Sequence, residues 1–132
     1  MTNTLRYYTS LFLFGFFGYG LLEVVWRGFT HPTMSLAGGV SIIFIDIVAK
    51  NLSELHIIYR SLICGLFITL IEFAIGYIMN TRLDAGIWDY SLMPLNLMGQ
   101  VCFSFSVLWC IISIPLILIL GRKNRSKEIK RN

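Results

Sequence analysis

Four apolar runs fill most of this 132-residue chain, at roughly 8–26, 34–49, 57–79 and 95–120. A helix that crosses the hydrocarbon core of a bilayer needs about 20 apolar residues, with a range of roughly 17–25. The first, third and fourth runs meet that length. None of the runs carries the polar face that a helix needs to sit on the surface of a soluble core. Only 14% of the residues are charged, against about 25% in soluble domains. The chain is therefore read as an all-α integral membrane protein. The second run, MSLAGGVSIIFIDIVA, is short and contains Asp46. It reads as a short span, a re-entrant hairpin or an interfacial segment. Four spans are preferred, because two adjacent helices forming a hairpin satisfy their backbone groups internally. The expected architecture is an antiparallel bundle of four transmembrane helices with a short second span. It forms one membrane domain over 1–121, followed by a basic tail at 122–132. The first run reads as a retained span: Glu23 and Arg27 close it, and no small-residue cleavage site follows.

The net charge of +4 is unevenly placed, and six of the eleven basic residues lie in the tail GRKNRSKEIKRN. With four spans and the N-terminus inside, Arg6, Lys50, Arg60 and the tail put nine basic residues in the cytoplasm and leave Arg27 and Arg82 outside. That distribution obeys the positive-inside rule. A three-span alternative with the N-terminus outside gives the same count. Both place the C-terminus in the cytoplasm and the 80–94 loop on the outer face. No folded basic surface accompanies the tail, so nucleic acid is not an expected partner; the bilayer is.

Small residues suggest where helices meet, since close backbone approach drives packing in lipid. The fourth run shows Gly99, Cys102, Ser106, Cys110 and Ser113 at spacings of 3, 4, 4 and 3, the seam of a left-handed bundle. The first run offers Gly15 and Gly18, and the second Ser35, Gly38 and Gly39. Pro115 should kink the fourth helix. The three cysteines all lie in apolar runs and match no zinc spacing, so no metal or cofactor is expected.

Ionisable residues at membrane depth are costly and call for a partner, a cavity or a function. Glu23 and Arg27 stand at i and i+4, on one helix face. Glu72 has no basic residue one turn away. It must find a partner on another helix or stay protonated, and Arg27 is the expected partner. A cluster of Glu23, Arg27 and Glu72 near the outer face follows, alongside the plainer reading of a single interhelical hydrogen bond. Asp46 is expected to face Lys50, four residues on. His31 and His56 read as loop residues on opposite faces, which argues against a shared metal. Trp88 and Tyr90 suit a membrane–water boundary. Asp89, Ser91 and Asn96 suit the capping of the fourth helix, with Pro94 just ahead of it.

Glu72-Phe-Ala-Ile-Gly76, Ile87-Trp88-Asp89-Tyr90-Ser91, Pro94, Asn96 and Gly99 together resemble the second half of the bacterial ABC-transporter type IV, or CmpB-like permease, family. They also resemble small vertebrate transmembrane proteins of unassigned function. Gly18-Tyr19-Gly20-Leu21-Leu22-Glu23 is similar to that family's opening helix, so the resemblance covers nearly the whole chain. It departs at the first loop, where Gly28-Phe29-Thr30-His31-Pro32 stands in place of a Gly-Phe-Leu-Tyr-Gly-Pro run. The resemblance implies a multi-pass protein of the bacterial cytoplasmic membrane and a permease-like role.

On that reading Glu23, Arg27, Glu72, Trp88, Asp89, Tyr90 and Asn96 form a substrate pathway or polar cluster. The chain lacks a Gly-x-x-x-x-Gly-Lys-Ser/Thr loop, so any ATPase subunit would be a separate protein. Four helices are few for a path, which implies a homo-oligomer or other membrane subunits. A structural or regulatory subunit is the alternative. An intramembrane enzyme acting on lipid is a third reading, without a triad, metal motif or reactive cysteine to support it.

Overall fold

The computed structural model describes residues 2–131. Helix α1 spans Asn3–Arg27, α2 Pro32–Asn51, α3 Ile57–Gly76 and α4 Phe103–Arg131. Local chemistry sets most of the boundaries. Thr2 Oγ1 accepts from the Leu5 amide and opens α1, and Gly28 closes it at φ 84°, its amide donating to the Val24 carbonyl. The two histidines also open helices: His31 Nδ1 accepts from Thr33 N, ahead of α2, and His56 Nδ1 from Ile58 N, ahead of α3. Pro32 occupies the first turn of α2, where its missing N–H costs nothing. Beyond Gly76, α3 relaxes into a π-helical stretch, Tyr77–Arg82.

All four helices are long and apolar enough to cross a membrane, and the protein is a multi-pass membrane protein. Exposed Phe14, Phe17, Leu21 and Val25 recur at spacings of three and four along α1, forming an apolar stripe suited to lipid. The second run is the centre of the bundle, since α2 packs against α1, α3 and α4. Its small residues make this possible. A Cβ on Gly15 of α1 would lie 2.5 Å from the Gly38 carbonyl oxygen and 2.6 Å from Ile42 Cγ2, so the two backbones touch. Phe44 of α2 stacks on Phe67 of α3, centroids 3.7 Å apart. Leu11, Ile42, Ile45, Val48, Cys64 and Ile117 close the core toward the end that carries the N-terminus. Asp46 is fully buried there, held by Lys50 Nζ at 2.8 Å and the Tyr7 hydroxyl at 2.7 Å. A short apolar run with a carboxylate is thus an interior helix whose charge is met by protein.

The fourth helix starts later than its apolar run. Residues 96–102 form a small antiparallel hairpin, Asn96–Leu97 with Val101–Cys102, and α4 begins at Phe103. Leu95, Met98 and Gly99 have φ of 53°, 54° and 71°, conformations no α-helix accepts. Gly99 and Cys102 therefore leave the proposed α4 seam. Ser106 and Cys110 keep it, facing Thr69 and Gly65 of α3.

Candidate functional site

At the end of the bundle opposite Asp46, the loop after α3 folds back over the helices. Trp88 is buried, and its indole N–H donates to the Gln100 carbonyl at 2.8 Å. Gly76 makes room for it: a Cβ there would stand 2.8 Å from Trp88 Cζ2. Asn80, in the π-helical stretch, accepts from the Ile87 amide and donates to the Gln100 side chain. Asp89 Oδ1 accepts from the Ser91 amide, and Tyr90 N donates to the Gly99 carbonyl. Asn96 donates to the Ser91 and Met93 carbonyls and accepts from the Gly99 amide. Asp89, Ser91 and Asn96 therefore tie the loop to itself instead of capping α4, because the hairpin lies between them and the helix. The Ser91 amide holds the exposed Asp89 carboxyl below its usual range.

This self-tied loop delivers Tyr90 to Glu72. The Tyr90 hydroxyl donates to Glu72 Oε1 at 3.2 Å, and the indole N–H of Trp109, on α4, donates to Oε2 at 3.1 Å. Burial and the neighbouring carboxylate raise the Tyr90 phenol well above its usual range, which keeps it a donor. Glu72 is 3% exposed. Arg27 is not its hydrogen-bonded partner. That guanidinium turns to Glu23 on its own helix, with Nε 2.9 Å from Oε2 and Nη2 on the same oxygen, and reaches the Ile87 carbonyl with Nη1. The i,i+4 spacing lets Arg27 meet Glu23 within one helix turn. Glu72, on α3, is met instead from the loop and α4. Glu23 Oε1 is buried and has no hydrogen-bond partner among the described residues.

Two cavities share this region. One, of about 460 Å³, is framed by α1, α2, α3 and α4, with Gly18, Tyr19, Ala37, Glu72, Trp109 and Pro115 in its wall. The other, of about 310 Å³, reaches Glu23, Arg27, Trp88 and Tyr90. Tyr19 and Trp109 border both, their rings 5.6 Å apart. Gly18 belongs to the first cavity and to no tight helix contact: a Cβ there would meet nothing within 4 Å. Gly20 is the packed glycine instead, with a Cβ position 2.8 Å from Ser35 Oγ. Asp89 and Asn96 stay in the loop scaffold, outside both cavity walls.

Residues 10–127 match the model of the family described as "Putative ABC-transporter type IV". The chain belongs to that family. The match takes in both carboxylates, the loop and α4 as far as its basic end. No curated protein and no solved structure matches the chain. Membership of this transporter-like family fits a multi-pass fold with cavities at the level of its buried acids. Sequence reasoning missed Tyr19, Trp109, Asn80 and Gln100. Tyr19 and Trp109 sit in apolar runs, where an aromatic residue reads as lipid-facing or core. Asn80, half-buried, and Gln100, buried, flank the loop, and their amides bond to each other only once the chain folds back.

Proposed function

We propose that this chain is a permease-like transport component whose substrate path runs through the cavity bordered by Glu72. The observation that carries the reading is a buried carboxyl group in a cavity wall, hydrogen-bonded by two neutral donors and, among the described residues, by no cation. An acid kept at membrane depth and open to a cavity is the usual mark of a substrate or ion path. The Trp88–Gly99 loop faces the outer side, and the basic end of α4 faces the cytoplasm, as the positive-inside count supports. Four helices are few for a transport path, so the working unit is a homo-oligomer or includes other membrane subunits. ATP, if used, is hydrolysed by a separate subunit. The rival reading is a structural subunit in which Tyr90 and Trp109 pin Glu72 to hold α3, α4 and the loop together. Purified protein in liposomes, tested with a panel of organic and inorganic solutes, separates the two. Flux that Glu72→Gln abolishes without changing assembly supports the path. Flux that survives Glu72→Gln favours the structural subunit.

A further inference from the structure

The cavity beside Glu72 has a chemical bias that narrows its ligand. Its volume of about 460 Å³ lies within the range of about 300–1,000 Å³ usual for organic ligands. Its wall is mostly aliphatic, with Leu22, Ile45, Ile68 and Ile112 among the lining. One carboxylate, Glu72, borders it, and both its oxygens are held by uncharged donors. The guanidinium of Arg27 is bound to Glu23, and among the described residues no basic side chain hydrogen-bonds Glu72. Two aromatic rings, Tyr19 and Trp109, stand side by side in the same wall, and aromatic faces attract cations. A hard metal ion is a poor fit. Calcium takes about six to eight oxygen ligands, and among the described residues no cluster of three His, Cys, Asp or Glu side chains gathers. An anion finds no basic side chain to pair with in this wall.

We propose that the cavity binds a lipophilic organic cation: an apolar body with one positive charge, paired with Glu72 and flanked by Tyr19 and Trp109. The proposal rests on the transport reading above for its biological sense, but binding is measurable without flux. Gly18 supplies an independent handle. Its Cβ position is clear of neighbours while it lines the cavity, so Gly18→Leu is the variant chosen to fill the space, with thermal stability as the check that the helices stay in place.

The test uses the full chain in detergent and radiolabelled tetraphenylphosphonium as probe, with tetraphenylborate, of the same shape and opposite charge, as competitor. The expected result is saturable phosphonium binding that tetraphenylborate fails to displace. Glu72→Gln and Gly18→Leu should each weaken it at least tenfold, and the Gly18→Leu protein should keep the thermal stability of the parent. Non-saturable uptake, equal competition by the borate, or unchanged affinity in Gly18→Leu overturns the proposal, even if Glu72→Gln fails to fold. Flux of another solute without phosphonium binding overturns the ligand class and leaves the transport reading standing. Binding without flux of any solute leaves the ligand class standing and sinks the transport reading.

Discussion

Glu72 draws its hydrogen bonds from two places far apart in sequence, Tyr90 in the loop and Trp109 on α4. Each is expected to contribute about 1–2 kcal/mol, between the values for hydrogen bonds to charged groups and the lower ones measured in membranes. Tyr90→Phe and Trp109→Phe should each lower the thermal midpoint. The double variant should lose more than the sum, because it leaves a buried carboxyl with no partner; simple additivity would show that the two donors do not share Glu72. Asp89 acts differently, since it is exposed and braces the loop through the Ser91 amide. Its carboxyl pKa is depressed in the fold. Its contribution is therefore complete above the ordinary aspartate value of about 3.9 and is lost as pH falls through the lower folded value. Trp88 fluorescence should report loosening below about pH 4 that Asp89→Asn shows already at neutral pH. A loop indifferent to both changes would remove Asp89 from the brace.

Within the elements, glycine position separates packing from space. Gly15 meets the Gly38 backbone across the α1–α2 crossing, whereas Gly18, one turn on, faces the cavity. Gly15→Val should cost about 1–3 kcal/mol by overpacking, and Gly18→Ala should leave stability level or raise it by up to about 1 kcal/mol, as removing a helix-interior glycine does. Thermal unfolding in detergent measures both, and equal effects at the two sites would contradict the crossing described. α4 shows the limit of hydropathy. The run from 95 reads as continuous helix, yet its first residues form a hairpin, because Asn96, Met98 and Gly99 follow turn chemistry that an apolar count ignores. The cysteine and serine spacing was legible where the helix exists, at Ser106 and Cys110. It failed at Gly99 and Cys102, where the period has no helix to act on.

Across the whole molecule, α2 fills the interior and α1 leans on it, leaving the cavity framed between α1 and the α3–α4 pair. The proposed orientation has a direct check. A cysteine at Ser91 should react with a membrane-impermeant maleimide added outside intact cells, and one at Ile129, which is exposed, only after the membrane is opened; the reverse pattern would invert the topology. Apolar length and low charge were enough to determine that this chain is an all-α membrane protein with three runs of spanning length, since a bilayer demands a minimum run of apolar residues; that the short second run is also a helix of 20 residues came from the structure. The i,i+4 pairs Glu23–Arg27 and Asp46–Lys50 were equally legible, because one helix turn sets their distance. The tertiary structure alone decided that α2 is the core, that Tyr90 and Trp109 hold Glu72, and that Gly18 opens a cavity. Those contacts join residues from different helices, and no period along a single chain segment encodes which face of one helix will meet which face of another.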